Sequence, residues 1–110
     1  MDAFFEVSDA MVQVQDQLVI DATTAKRLPA MFNNQNSVIK GGLASYSANR
    51  YEVGRLSAKY VQRILGGVKP QDLPVEGVRK MDLVINLKTA KQIGLTIPPH
   101  VLARADRILK

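Results

Sequence analysis

Apolar positions along the chain follow two rhythms. Compact runs at Ala3-Phe4-Phe5-Glu6-Val7, Pro29-Ala30-Met31-Phe32, Leu43-Ala44-Ser45-Tyr46 and Met81-Asp82-Leu83-Val84-Ile85-Asn86-Leu87 each end in polar or turn-forming residues, which predicts strands. Between the first two, Met11, Val14, Leu18 and Ala22 recur at three- or four-residue spacing, which predicts a helix from about Ala10 to Arg27 with that stripe on its apolar face. Its acids come early and Lys26-Arg27 close its last turn, the order the helix dipole favours, before Leu28-Pro29 stops it. A longer helix is predicted from Asn49 to Gly66-Gly67. Val53, Leu56, Tyr60, Val61, Ile64 and Leu65 form its stripe, and Asn49 with Glu52 three residues on matches a capping box. Asn33–Ser37 reads as a polar loop and Gly41-Gly42 as a turn. Leu73-Pro74-Val75-Glu76 is expected to pair antiparallel with the Met81 strand around Gly77. Lys88 to Ile93 reads as a short helix capped by Asn86. Pro98-Pro99 then opens a final helix with Val101, Leu102, Ala105, Ile108 and Leu109 on one face.

Strand and helix alternate through the first 65 residues, so the expected class is α/β with a parallel sheet. In open parallel sheets ligands bind beyond the carboxyl ends of the strands. The positions to watch are therefore Ser8-Asp9, Phe32-Asn33-Asn34 and Ser45-Tyr46-Ser47, and the candidate ligand-binding residues are Ser8, Asp9, Asn33, Ser45 and Tyr46. Hydroxyls, amides, one carboxylate and one ring on one edge could hold a small polar molecule. Each has a plainer alternative. Asp9 pairs with a cationic group or caps the helix at Ala10; Tyr46 stacks on a ligand or sits half in the core; Asn33 and Asn34 bind solute or form a solvated turn.

Composition narrows the chemistry. With 110 residues, 46% hydrophobic and 23% charged, the chain has the size and balance of one domain. It has no cysteine and one histidine, His100, which excludes thiolate zinc, iron–sulfur and cysteine-nucleophile sites; no metal or other cofactor is expected. No GxGxxG, GxxxxGK[ST], GxSxG or HExxH motif is present, and no catalytic pair is evident, so the chain reads as a non-enzyme. Met11, Met31 and Met81 read as core fillers. The net charge of +5 is uneven: residues 1–25 carry five acids and no base, and residues 26–110 carry fifteen bases and five acids. Such asymmetry suits a nucleic-acid or membrane surface, or a segment of something larger. Arg55, Lys59, Gln62 and Arg63 share the polar side of the long helix, without the interleaved aromatics of an RNA-binding sheet. No apolar run approaches the roughly 20 residues that span a bilayer, and the start of the chain lacks a basic signal-peptide region.

Three linked strings then resemble a known family. Gly41-Gly42-Leu43-Ala44-Ser45-Tyr46, Asp72-Leu73-Pro74-Val75-Glu76, and Leu83-Val84-Ile85-Asn86-Leu87-Lys88-Thr89-Ala90-Lys91-Gln92-Ile93-Gly94-Leu95-Thr96-Ile97-Pro98-Pro99 are similar, in order and spacing, to the C-terminal portion of ABC-transporter substrate-binding proteins. Val101 to Asp106 extends the match, whereas Ala10 after Asp9 and Ser47 after Tyr46 replace the family's usual proline and glycine. The resemblance implies a periplasmic-binding-protein-like, flavodoxin-like three-layer half-lobe with a C-terminal helical return. Residues 1–68 would form second-lobe α/β structure and 69–110 the hinge return, with the first lobe, signal peptide and anchor absent. It implies capture of a small organic solute such as an amino acid between two lobes, an ABC permease as partner, and a periplasmic or extracytoplasmic parent protein. Nucleic acid is not expected as a partner. A homodimer of the fragment is expected to cover apolar surface that the missing lobe leaves bare. The alternatives are a small basic nucleic-acid-binding module and a ligand-sensing regulatory domain of the same ancestry.

Overall fold

A computed structural model of the chain describes residues 2–110. Five strands form one sheet in the order β1 (Phe4–Phe5), β2 (Ala30–Phe32), β3 (Ala44–Ala48), β4 (Met81–Asn86) and β5 (Arg107–Leu109). β1, β2 and β3 run parallel, with Phe5 opposite Met31 and Phe32 opposite Ser45. The direction reverses next. Asn86 N–H donates to Leu43 O at 2.8 Å and Asn49 N–H donates to Lys80 O at 2.9 Å, so the end of β4 lies beside the start of β3. β5 is parallel to β4, and Asp106 fixes its start by donating its N–H to Leu83 O and accepting from Leu83 N–H, both at 2.8 Å.

The alternation of side chains along a strand divides the core between the two faces of the sheet. In β2, Ala30 and Phe32 pack with Ile20, Phe4 and Val19 on one side, while Met31 joins Leu43, Ala44, Ile85, Ala90 and Ile93 on the other. Helices α2 (Asp16–Ala25) and α5 (Leu87–Gln92) supply these layers. Asn86, a buried polar residue at the end of β4, is satisfied in place: its Oδ1 accepts from Thr89 N–H at 3.1 Å and its Nδ2 donates to Val38 O at 3.3 Å. Thr89 Oγ1 donates to Gly41 O at 2.8 Å, tying α5 to the turn before β3.

Several expectations are corrected. The first helix breaks at Gln15 into α1 (Ala10–Val14) and α2, and its expected apolar stripe faces outward: Met11 is 75% and Val14 86% exposed, whereas Asp16, Ile20 and Thr23 are buried. Turning this face inward is possible because its polar members find partners, Asp16 on Ser37 and Thr23 on its own helix carbonyls. The presumed loop contains α3 (Gln35–Ile39), capped by Asn34 Oδ1 accepting from Ser37 N–H at 3.2 Å. Leu73–Glu76 forms no strand, because β4 spends both edges on β3 and β5. The final helix, α6 (Pro99–Leu102), stops early, and Arg107–Leu109 become β5.

Cα proximity divides the chain into two compact units, one of residues up to Ser47 with Asp82–Lys110, the other Ala48–Met81. The second unit contains α4 (Arg50–Leu65), capped as expected by Asn49 Oδ1 accepting from Glu52 N–H at 3.0 Å, and a single 3₁₀ turn at Pro70–Asp72. None of its residues is buried. Val53, Val61, Ile64 and Leu65 of the α4 stripe are exposed, as are Tyr51, Val68 and Val75. Seven bases against three acids give this unit +4 of the chain's +5.

Gly42 packs against the core it precedes. A Cβ there would lie 2.7 Å from the Phe32 ring and 2.9 Å from Ser37 O, whereas a Cβ on Gly54 in α4 would meet nothing within 4 Å. Gly42→Ala is therefore expected to cost about 1–3 kcal/mol by overpacking, and Gly54→Ala to be neutral or stabilising through helix propensity. Urea unfolding midpoints of the two variants check this pair.

Candidate functional site

Parallel pairing of β1, β2 and β3 brings the residues that follow them to one edge of the sheet. These are Glu6–Asp9, Asn33-Asn34 and the end of β3 from Tyr46 onward. Ser8 and Asp9 are exposed. Asp9 caps α1, its Oδ1 accepting from Met11 N–H at 2.8 Å, and keeps its carboxylate in solvent while doing so. Asn33 is half-buried; its Oδ1 accepts from Gln13 Nε2 and from Asn34 Nδ2, each at 3.3 Å, and its Nδ2 has no partner. Tyr46 is 55% exposed. Ser45, one residue earlier, is fully buried, and its hydroxyl has no partner. Ser8, Asp9, Asn33 and Tyr46 thus lie at a common polar edge, and Ser45 lies behind it.

Three polar residues that were not among the sequence candidates lie inside this edge. Glu6 is 2% exposed, Asp16 3%, and Ser37 is fully buried. Ser37 Oγ donates to Asp16 Oδ2 at 2.7 Å, and Lys40 Nζ stands 3.9 Å from the same oxygen. Neither Glu6 oxygen, nor Asp16 Oδ1, has a conventional donor. Burial pushes the Glu6 carboxyl above its ordinary value of 4.5, the charge of Asp16 and hydrogen bonding with it push the same way, and the Asn33 backbone pulls partly back. One signal in the sequence could have found it: an acid at the fourth place of Ala3-Phe4-Phe5-Glu6-Val7, where strand alternation points inward with Phe4.

Elsewhere, a groove of about 590 Å³ on residues 52–80 is lined by Arg55, Lys59, Arg79 and Lys80 together with Glu52 and Glu76. Arg55 pairs with Glu52 at 2.9 Å and Lys59 with Glu76 at 3.2 Å. Such solvent-facing pairs contribute roughly 0–1 kcal/mol each, and Arg79 and Lys80 leave the groove lining net positive. Among the described residues no group of three or more His, Cys, Asp or Glu is placed to hold a metal ion, and no helix is long and apolar enough to cross a membrane.

Comparison with known proteins gives this edge a context. Residues 1–109 match the family model described as ABC transporter substrate binding protein. A conserved domain protein from Vibrio cholerae is 34% identical, with a TM-score of 0.90 over 97% of this chain and 36% of that one. An ABC domain from Streptococcus pneumonia, solved in complex with L-Trp, is 29% identical, with a TM-score of 0.88 over 99% of this chain and 38% of that one. An uncharacterized protein of Rickettsia prowazekii is 23% identical over 87 residues, which are 79% of this chain and 29% of the relative. The chain therefore spans little more than a third of the solved relatives' length, and its mostly parallel, helix-flanked sheet is the periplasmic-binding-protein-like architecture they share. The chain belongs to the ABC transporter substrate-binding protein family.

Proposed function

We propose that this chain forms one wall of an interlobe cleft in the solute-binding component of an ABC importer. The intact protein captures a small organic solute of the amino-acid class outside the cytoplasm and delivers it to the permease, without catalysis. The observation that supports this reading is the polar strand-end edge of Ser8, Asp9, Asn33 and Tyr46, on a chain 29% identical to a relative that holds L-Trp. A free amino acid offers a match for this edge. Asp9 receives the ammonium, the exposed Ser8 hydroxyl hydrogen-bonds the carboxylate, Tyr46 lies along an apolar or aromatic side chain, and Asn33, whose Nδ2 is buried, shapes the edge beneath them. Ser45 backs the edge from within. Nucleic acid has no part in this reading.

The Ala48–Met81 unit carries no buried residue, and its exposed apolar stripe is the face that the rest of a full-length family member covers. A wall alone lacks the enclosure that makes such sites tight. For the chain by itself, millimolar L-tryptophan and a panel of other amino acids should therefore shift the backbone amide resonances of Ser8, Asp9, Asn33 and Tyr46, with a Kd of about 1 mM or weaker. Shifts confined to other residues contradict the site, and micromolar affinity contradicts the single wall.

Without the remaining lobe, the α4 stripe is free to meet the same stripe on a second copy. Light scattering over a concentration range should then show the mass rising from 12.1 kDa toward twice that value. A mass constant at 12.1 kDa contradicts self-association.

A further inference from the structure

We propose that Glu6 is held as a neutral carboxylic acid whose proton is shared with Asp16, and that this buried pair is a pH-sensitive latch between the end of β1 and the start of α2. The inference stands apart from the identity of the solute and rests on placement and charge.

Glu6 cannot turn away from the interior. Its N–H donates to Met31 O at 2.9 Å, which continues the β1–β2 ladder, and its neighbours Phe5 and Val7 are each 70% exposed, so alternation leaves Glu6 inside. Asp16 is equally fixed, as the first residue of α2 with its Oδ2 bound by Ser37. Around the pair, α2 contributes the Asp16 carboxyl, α3 and its C-cap contribute Ser37 and Lys40, the end of β2 contributes Asn33, and α1 contributes the neutral Gln13 bonded to Asn33. Among the described residues the cation paired with Asp16 is Lys40, which is half exposed and stands 3.9 Å away.

Two ionised carboxylates in a buried site with a single remote cation repel one another and lose hydration together. Retaining one proton removes both costs. The Ser37 hydroxyl and the Lys40 ammonium both stand at Asp16, whereas neither Glu6 oxygen has a donor, so the proton stays on Glu6. Glu6 O–H then donates to Asp16, and a carboxylate oxygen that lacked a donor gains one. What the latch holds is the Ser8–Gln15 segment, whose own packing is slight: α1 has no buried residue, and Met11 and Val14 point into solvent. The solute-facing Ser8 and Asp9 therefore depend for their position on a proton two or three residues away.

The sign follows from the raised value of Glu6. In the unfolded chain it ionises near 4.5, and in the fold it ionises higher, so the stability carried by protonated Glu6 is complete below about pH 4.5 and is lost as pH rises through the folded value. Thermal unfolding of the 110-residue chain from pH 4 to 8 tests it alongside Glu6→Gln, whose amide keeps a donor toward Asp16 at every pH. The native chain should lose Tm relative to the variant by on the order of 5 °C across the ionisation, with the variant equal or more stable at pH 8. A constant difference between the two at all pH values overturns the proposal. Carbon-13 titration of the Glu6 carboxyl in the unmodified chain gives the independent readout: a midpoint above 4.5 supports the latch, and a midpoint at or below 4.5 overturns it.

Discussion

Parallel pairing of β1, β2 and β3 is the constraint on which the rest of the molecule depends. Strands that run the same way must each be followed by a return, and every return begins at the same edge. That rule alone puts Ser8-Asp9, Asn33-Asn34 and Tyr46-Ser47 together, although they are far apart in the chain. The reversal between β3 and β4 is the second half of the constraint. It lets the chain leave the sheet at Ala48, form α4 and come back at Met81, so that β4 ends beside the start of β3, where Asn86 and Thr89 seal the junction with Val38 and Gly41.

Polar groups in the interior of this small sheet fall into two kinds with different consequences. Asn86 and Thr89 have backbone partners for their side chains, and each ties one element to another at distances of 2.8–3.3 Å. Such groups specify a junction at little net cost, because what was lost to desolvation is regained as hydrogen bonds. Glu6, Asp16 and Ser45 are of the second kind, buried with oxygens that the protein does not fully satisfy. They sit immediately inside the edge formed by the residues that follow β1, β2 and β3, so the least satisfied part of the interior lies where the parallel strands end.

How much of this could be read from residues alone depended on whether the signal was local. β2, β3 and β4, the α4 helix and the caps at Asn49 and Asn86 were legible, because apolar runs, helical spacing and Asn followed three residues on by a free N–H are short-range features. The burial of Asp16 and Thr23 in place of Met11, Val14 and Leu18 was not, because for Asp16 it rests on Ser37, a partner supplied by another helix. β5 failed for a similar reason. Arg107-Ile108-Leu109 suits either period, and Asp106 bonded to Leu83 decides for a strand only once β4 is present. Of the five candidate binding residues, the register brought four to an accessible edge and turned Ser45 inward, which strand period alone could not foretell without knowing which face is covered.

The central claim is that these 110 residues comprise a sheet with its own core and an Ala48–Met81 unit that has no buried residue and an exposed apolar stripe on α4. Native-state amide hydrogen exchange on the isolated chain tests it most directly, since protection reports the free energy of local opening element by element. Amides of β2, β4 and α5 should exchange slowly and together, while those of α4 between Val53 and Leu65 exchange far faster, near the rates of an isolated helix. Equal protection of α4 and β4 in the monomeric chain would contradict it.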